Sequence, residues 1–248
     1  MRRILPIFLL AISAHVWGFE TPRFDYYLLS LSLAPAFCED EPQKKRGFAQ
    51  CRALVSSVAS SLPLSLHGLW PNRRDGHHPQ DCGGGKRGRF CSLPAVSLQT
   101  GTRARLGRAM PATPDCLDRY EWAKHGSCSG LSADNYFTVS ITLTERLNQV
   151  LGAELTRHAG REVNLETLRQ ALAKSDPALL ESVVFNCQTP RTPNPNKRHP
   201  MLTDVRVYFE RNAASSGPGG PLDYRRAGVK NFNSGCPGGW AYVDSPLD

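Results

Sequence analysis

The sequence predicts an α+β fold with a central antiparallel sheet, helices packed on that sheet, and a single domain stapled by disulfides. Segments with strand character and segments with helical character occupy separate blocks of the chain, which argues against alternating β-α-β units. The chain has 248 residues, 40% of them hydrophobic, which suits one folded core. Its eight cysteines form an even set, as expected of a disulfide framework.

The N-terminus has the composition of a secretory signal. Arg2 and Arg3 precede an apolar run from Ile4 to Trp17, and the small residue Gly18 follows. The run is too short and wrongly flanked for a stable membrane span. We therefore expect a signal peptide at 1–18 and one catalytic domain at 19–248. We also expect export to the periplasm or the medium, without membrane insertion once the signal is removed.

The first half of the remaining chain supplies strands and a loop. Residues 24–38 are rich in strand-forming side chains and should open the sheet. Residues 62–71 form a second apolar run with alternating character. Residues 72–94 are rich in Gly, Pro and basic residues, which predicts a surface loop held by Cys82 and Cys91.

Three helices and two further strands are predicted in the second half. The helices are indicated by apolar residues at helical spacing and by cap residues such as Ser132 and Asn164, the strands by alternation of apolar and polar residues. The helical segments are 117–126, 132–155 and 164–175, and the strands are 181–187 and 204–210. The tail from residue 213 is predicted as a loop.

The cysteines favour structural disulfides over metal ligands. None of them falls in a C-x-x-C pair, and their even number in an exported chain suits an oxidising compartment. All eight are therefore predicted to be bridged: Cys38, Cys51, Cys82, Cys91, Cys116, Cys128, Cys187 and Cys236.

The charge balance is a weak pointer to an anionic partner. The formal net charge is +8, and +6 remains after the loss of Arg2 and Arg3. A positive excess favours nucleic acid as a partner, although many exported proteins are basic without one.

The segment "EWAKHGSC" (121–128) groups chemically active side chains. In a helix, Glu121, Lys124 and His125 stand at i, i+3 and i+4, so they share one face. A carboxylate, an ammonium and an imidazole on one face are suited to proton transfer beside a charged substrate. The alternative is an exposed Glu/Lys pair next to an ordinary histidine at a helix end.

The pentapeptide "HGLWP" (67–71) supplies a second histidine. Here His67 ends an apolar strand, Gly68 permits close backbone approach, and Trp70 offers a flat surface. The alternative is a strand-end histidine beside core residues Leu69 and Trp70. Residue usage makes this pentapeptide improbable by chance, roughly one in 10⁵ for a chain of this length.

Together the two segments resemble the signatures of the ribonuclease T2 family, which read HGLWP and, typically, HEWxKHG(T/S)C. This chain has "HGLWP" at 67–71 and "YEWAKHGSC" at 120–128 in the same order. The "RYEWAKHG" form is similar to the bacterial periplasmic branch, of the ribonuclease I type.

The resemblance implies a metal-independent endoribonuclease that needs no cofactor and cleaves single-stranded RNA with low base specificity. RNA carries its own nucleophile, the 2′-hydroxyl, so cleavage needs a base, an acid and a cation near phosphorus. By the family's pattern His125 is the base and His67 the acid, while Lys124 and Glu121 stabilise the transition state and tune the site. The first product is then a 2′,3′-cyclic phosphate, DNA is not cleaved, and the enzyme is expected to be a monomer.

Three further residues are expected to contact substrate. Tyr120 replaces the histidine that usually begins the second signature, and it can hydrogen-bond phosphate without supplying charge. Trp70 can stack on an unpaired base or, equally well, pack under a histidine. Asn72 stands where many family members carry an aspartate in the base pocket.

Two clusters of basic residues could follow an RNA backbone, although exposed basic residues are more often only solvated. They are Arg103, Arg105 and Arg108 in one cluster, and Lys86, Arg87 and Arg89 in the other. For the disulfides, the resemblance suggests Cys187–Cys236 and Cys82–Cys128. Cys38–Cys51 and Cys91–Cys116 would complete the set.

Three other functions compete with this interpretation. "GSCSG" (126–130) fits a nucleophile elbow, so a cysteine hydrolase could use Cys128. A zinc module could use His77, His78 and Cys82, although its remaining ligands are not evident. A basic RNA-binding protein without catalysis is the third possibility, and it would retain affinity for RNA without cleaving it.

Overall fold

The computed structural model describes residues 23–39, 47–55, 62–84, 88–189, 198–212, 214–215, 217–227 and 236–245. The predicted signal peptide at 1–18 lies outside these residues, as do Lys86 and Arg87 of the second basic cluster.

Seven strands form one sheet in the described part of the chain, with β2-β1-β5-β7-β3 as its main order and β4 and β6 paired to β5. The strands are β1 (Tyr26–Ser32), β2 (Ser65–Asn72), β3 (Arg161–Asn164), β4 (Val183–Gln188), β5 (Met201–Arg211), β6 (Pro218–Pro221) and β7 (Trp240–Val243). Pairing is antiparallel except where β5 meets β7.

Seven α-helices surround this sheet in the same described ranges. They are α1 (Ala34–Glu39), α2 (Ala49–Val55), α3 (Thr100–Ala109), α4 (Leu117–Lys124), α5 (Ala133–Arg157), α6 (Leu165–Ser175) and α7 (Pro177–Leu180). The α+β prediction, with a largely antiparallel sheet in a single disulfide-stapled unit, is confirmed.

The long helix α5 forms the main core with one face of the sheet. Its N-terminus is capped by Ser132, whose side chain accepts a hydrogen bond from the Asn135 amide. Phe137, Ile141 and Leu147 are fully buried, as their helical spacing predicts. The opposite face of the sheet carries a smaller apolar cluster, against which Trp70 packs.

The first predicted strand is too long. It ends at Ser32, and the chain turns into α1 at Ala34 instead of continuing to Cys38. Pro35 is the reason, because a proline is tolerated in the first turn of a helix but cannot donate to a sheet. The predicted loop at 72–94 also contains a short 3₁₀ turn at Phe90–Ser92.

All eight cysteines are bridged, in the four expected pairs. These are Cys38–Cys51, Cys82–Cys128, Cys91–Cys116 and Cys187–Cys236. In the described ranges no helix combines the length and the apolar character needed to cross a bilayer.

Candidate active site

A β-bulge in β2 directs His67 away from the main core. Ser30 of β1 pairs with Gly68, whereas Leu31 pairs with Leu66, so His67 is the extra residue between them. Such a bulge re-aims a side chain, and here it leaves Leu66 in the core. The His67 side chain remains 41% exposed.

Helix α5 fixes the free edge of β2 beside the site. The Tyr136 hydroxyl accepts a hydrogen bond from the Leu69 amide at 3.2 Å and donates one to the Leu69 carbonyl at 2.9 Å. Both groups would otherwise be unpaired in a buried strand edge. Sequence reasoning missed Tyr136, because nothing local distinguishes it from other apolar-face residues of α5.

Helix α4 brings the second motif against β2. Glu121 is almost completely buried, and its Oε2 accepts a hydrogen bond of 2.8 Å from the Trp70 indole nitrogen. Its other oxygen, Oε1, lies 3.5 Å from Nε2 of His67. His125 is the first residue beyond the helix, and its amide donates to the Glu121 carbonyl.

Gly68 makes this contact between β2 and α4 possible. A Cβ atom at position 68 would overlap the Glu121 carboxylate and the Trp70 indole nitrogen. The glycine of "HGLWP" is therefore required by space and not by backbone conformation.

Trp70 joins the two histidines. Its ring centre lies 5.3 Å from that of His67, in an edge-on arrangement, and 5.2 Å from that of His125, with the rings tilted by 32°. The indole thus contacts both imidazoles and hydrogen-bonds Glu121. This is the packing role that the sequence left open beside base stacking.

Both histidines of the site have a pKa below the ordinary value for histidine. Burial, together with the smaller effects of the charges of Lys124, His67 and His78, lowers the pKa of His125 to about 3. Burial also lowers the pKa of His67, with Asp204 opposing the change and Arg206 and Lys124 adding to it. His125 is therefore neutral over most of the pH range.

The Glu121 carboxyl is perturbed in the opposite direction. Burial raises the pKa of Glu121 to about 8, against the smaller opposing effects of the Trp70 hydrogen bond and the Lys124 charge. A carboxyl that holds its proton at neutral pH lies beside an imidazole that releases its proton easily. The 3.5 Å between Glu121 Oε1 and His67 Nε2 brings the two groups close enough to exchange a proton.

Lys124 and Tyr120 lie together on the outer side of α4. The Lys124 ammonium sits 5.2 Å from the centre of the Tyr120 ring, within range of a cation–π interaction. Tyr120 in turn stacks on Phe90, with ring centres 4.2 Å apart. The tyrosine that replaces the usual histidine thus supports the lysine side chain.

A cavity of about 730 Å³ adjoins this side of α4. Tyr120, Lys124 and Ser127 contribute to its wall, with segments from the preceding loop, whereas His67 and His125 are not among the described residues that line it. The cavity is large enough for a nucleoside-sized ligand.

The loop after β2 is tied to the end of α4. The Asp81 amide donates to the Lys124 carbonyl at 2.8 Å, and the Cys82–Cys128 disulfide joins the same two segments. This places His78 near enough for its charge to lower the pKa of His125. No sequence motif marked His78 for this position.

Asn72 is tied to the neighbouring strand β1. It is 6% exposed at the end of β2, and its side chain hydrogen-bonds the Tyr26 hydroxyl, which lowers the pKa of Tyr26 against the larger effect of burial. The predicted contact of Asn72 with a base stays a prediction.

Two of the three arginines in the first basic cluster contact other protein groups. Arg105 forms an ion pair with Glu145, and the Arg103 guanidinium donates to the Val96 carbonyl at 2.5 Å. Arg108 and Arg89 are exposed. None of these four arginines contacts the two histidines.

The disulfides remove two rival interpretations. Cys128 is bridged, so it cannot be the free thiol of a cysteine hydrolase. Cys82 is bridged to it, so the zinc module loses its third ligand. Over the residues that the structure describes, no group of three or more metal-ligating side chains comes together.

The chain is similar to known proteins in sequence and in fold. A model of the ribonuclease T2 family matches residues 24–216, which include both motifs and most of the sheet. The chain belongs to the ribonuclease T2 family. The expected family resemblance and the expected endoribonuclease class are therefore confirmed.

Relatives and solved structures of ribonucleases agree with this membership. The chain is 28% identical over 234 residues to ribonuclease I of Escherichia coli, covering 84% of this chain and 81% of the relative. It is similar in fold to RNase NT in complex with 5′-AMP, with a TM-score of 0.60 and 18% identity, covering 91% and 99% of the two chains. Ribonuclease MC1 from bitter gourd seeds gives a TM-score of 0.52 at 19% identity, with 75% and 90% coverage.

Proposed function

We propose that this endoribonuclease cleaves single-stranded RNA without a metal ion and with low base specificity, by attack of the 2′-hydroxyl on the adjacent phosphorus. The observation that carries the proposal is the arrangement of His67 and His125 around the Trp70 indole. The imidazole of His125 is neutral, and Glu121, which lies beside His67, holds a proton at neutral pH. The products would end in a 2′,3′-cyclic phosphate.

His125 is the proposed general base. A base must be unprotonated before the reaction, and the pKa of His125, lowered to about 3, keeps its imidazole neutral at physiological pH. It accepts the proton of the 2′-hydroxyl as the oxygen attacks phosphorus. Trp70 supports its ring, so we assign Trp70 to positioning the two histidines and not to stacking on a base.

His67 is the proposed general acid, and Glu121 is the proposed source of the proton that His67 donates. Below about pH 8 the pair of Glu121 and His67 holds at least one proton, because burial raises the pKa of Glu121. A phosphate beside His67 favours its protonated form, and the proton then passes from Glu121 to the imidazole. His67 delivers a proton to the leaving 5′-oxygen, while Glu121 is left as the counter-charge at 3.5 Å.

Lys124 supplies the positive charge for the phosphate. The extra negative charge that develops on the phosphoryl oxygens is stabilised by a preorganised cation. The Tyr120 ring holds the ammonium in place, and its hydroxyl is a further candidate donor to a phosphate oxygen. Tyr120 stands where the second signature usually begins with a histidine, and in this proposal it contributes by holding the Lys124 ammonium in place.

The proposed substrate follows from the nucleophile. DNA lacks the 2′-hydroxyl and should not be cleaved. Unpaired RNA is preferred because the 2′-oxygen must align opposite the leaving 5′-oxygen, which an A-form helix opposes.

We further propose that the chain is exported as a monomer, with residues 1–18 as signal peptide and 19–248 as the mature domain. Four disulfides are typical of proteins that fold in the periplasm or outside the cell.

The direct test is cleavage of single-stranded RNA by His67→Ala and His125→Ala, with His158→Ala at the end of α5 as matched control. Each site variant should lose at least about 100-fold in kcat while keeping its melting temperature, because acid–base catalysis contributes about that much or more. The control should match the wild type. A site variant that cleaves at close to the wild-type rate contradicts the assigned role, and wild-type protein that binds RNA without cleaving it supports the non-catalytic alternative.

A further inference from the structure

The sheet face that carries His67 continues into a polar row across four strands. Residues that lie opposite each other in a sheet point to the same face. Ser65 of β2 pairs with Ser32 of β1, Ser32 with Asp204 of β5, and Asp204 with Asn186 of β4. Farther along, the same face is apolar, with Tyr26, Leu28 and Tyr208.

A second row connects His67 to an arginine. Gly68 pairs with Ser30, and Ser30 pairs with Arg206 of β5. Gly68 has no side chain and Ser30 is small and buried, so no bulky residue of this row stands between the bulged His67 and Arg206. The Arg206 side chain is 37% exposed and can therefore meet a ligand.

Asp204 aligns the Arg206 guanidinium. The Arg206 Nη2 donates to the Asp204 Oδ1 at 3.4 Å, while the Thr203 hydroxyl donates to Oδ2 of the same carboxylate at 2.8 Å. The long bond to Asp204 is the one hydrogen bond of Arg206's side chain to any described residue, so most of its donors are available for another partner.

Four of the seven buried side-chain polar atoms that have no hydrogen-bond partner among the described residues lie in the two rows. Within the described residues, Ser30 Oγ, Ser65 Oγ, Asn186 Nδ2 and Arg206 Nε are buried and have no hydrogen-bond partner. Such groups normally bond to protein, ordered water or a ligand. They show that this part of the sheet face is polar and that the Arg206 side chain rises from a polar layer and not from an apolar one.

The charges of both β5 residues reach His67. Asp204 raises the pKa of His67 and Arg206 lowers it, in addition to the effect of burial. Lys124 approaches the same imidazole from α4. A phosphate bound beside His67 would therefore have one cation on α4 and a second cation on the sheet near it.

We propose that Arg206, aligned by Asp204, binds the RNA phosphate that neighbours the scissile one. This inference rests on the proposed function, because it takes His67 as the group beside the scissile phosphate. A guanidinium suits a phosphate through its paired donors. The consequence is a preference for RNA chains of several nucleotides over a dinucleotide, which has a single phosphate.

The test compares a dinucleoside monophosphate with a hexanucleotide of single-stranded RNA. Arg206→Gln should lower kcat/KM for the hexanucleotide about tenfold, the value of a charged hydrogen bond. The dinucleotide should change by a clearly smaller factor, because there only the effect of the Arg206 charge on His67 is lost. Arg206→Lys should recover part of the loss. The matched control is Arg157→Gln, which removes an exposed arginine paired with Glu154 on α5.

Binding supplies an independent readout. Affinity for a hexanucleotide of DNA, which cannot be cleaved by this chemistry, should fall in Arg206→Gln, and the slope of log affinity against log salt should fall by about 0.7, the value for one phosphate contact on a single strand. Equal losses on both RNA substrates, or no loss on the hexanucleotide, would overturn the proposal. A weakened and less salt-dependent hexanucleotide affinity in protein that cleaves neither RNA would uphold the phosphate site and refute the proposed function instead.

Discussion

At the scale of single residues, the proposed mechanism depends on a proton shared by Glu121 and His67. Burial favours the neutral form of each group, so it raises the pKa of the carboxyl to about 8 and lowers the pKa of the imidazole. In the proposed mechanism, the proton that His67 donates is therefore stored on Glu121. Acid catalysis is then lost at the pH at which Glu121, and not His67 alone, loses its proton.

Glu121→Gln should shift the alkaline limb of the pH profile. In the wild type, kcat/KM should decline as pH rises through about 8, where the pair loses its last proton. Glutamine can still accept the Trp70 hydrogen bond but cannot hold a proton, so activity should fall as pH rises through the pKa of His67 itself, which lies below its ordinary value of 6.5. The measurement is kcat/KM on RNA from pH 4 to pH 9.

The control for this profile is Glu145→Gln, which removes a carboxylate paired with Arg105 away from the site. It should leave both limbs in place. A limb that stays near pH 8 in Glu121→Gln would show that the carboxyl does not hold the catalytic proton.

Gly68→Ala should separate the two motifs. The added methyl group overlaps the Glu121 carboxylate and the Trp70 indole nitrogen, so the hydrogen bond between them must break or the strand must move. Overpacking of this kind costs about 1 to 3 kcal/mol. We expect a lower midpoint of urea unfolding and a loss of kcat of about 100-fold.

Gly101→Ala in α3 is the matched control, since a Cβ there meets no atom within 4 Å. It should leave activity unchanged and stabilise the helix slightly. Full activity in Gly68→Ala would contradict the claim that Gly68 makes room for the Glu121–Trp70 contact.

At the scale of elements, the site depends on two pieces of structure meeting at the edge of the sheet. The bulged strand β2 presents His67 and Trp70, and α4 presents Glu121, Lys124 and the residue that follows it. The Tyr136 hydroxyl of α5 pairs with both polar groups of Leu69, and the Cys82–Cys128 disulfide ties the intervening loop to the end of α4.

Tyr136→Phe should loosen the edge of β2. Removing the hydroxyl leaves the amide and the carbonyl of Leu69 without their partner in a buried position, which costs about 1 to 3 kcal/mol. We expect a lower free energy of unfolding in urea, together with a reduced kcat, because β2 carries His67. Unchanged stability would mean that the Tyr136 hydrogen bonds do not hold this edge.

Much of the architecture was predictable from the sequence, but the assembly of the site was not. Apolar spacing and the caps at Ser132 and Asn164 predict α5 and α6 closely, because these signals are local. The bulge at His67, the contact of Tyr136 with β2 and the approach of Asp204 and Arg206 depend on strand register and tertiary packing. Short elements such as β3 and β7 were also missed, since four residues carry too little pattern.

At the scale of the whole molecule, the candidate active site lies at the β2 edge of the sheet, and α5 covers the sheet face that forms the main core. The Cys82–Cys128 disulfide ties the loop after β2 to the end of α4, and Arg103 and Arg105 of the first basic cluster are engaged in contacts with other protein groups. In the proposed mechanism, the cations that meet the substrate are Lys124 and Arg206.

The central claim is that two imidazoles, aided by a buried carboxyl and a lysine, cleave RNA through its own 2′-hydroxyl. The most direct measurement is incubation of the protein with single-stranded RNA and, separately, with DNA of the same sequence in excess EDTA, followed by mass spectrometry of the product ends. The account predicts RNA fragments that end in 2′,3′-cyclic phosphate and intact DNA. Cleavage of DNA, a requirement for metal, or fragments that never carry the cyclic phosphate at the earliest times would contradict it.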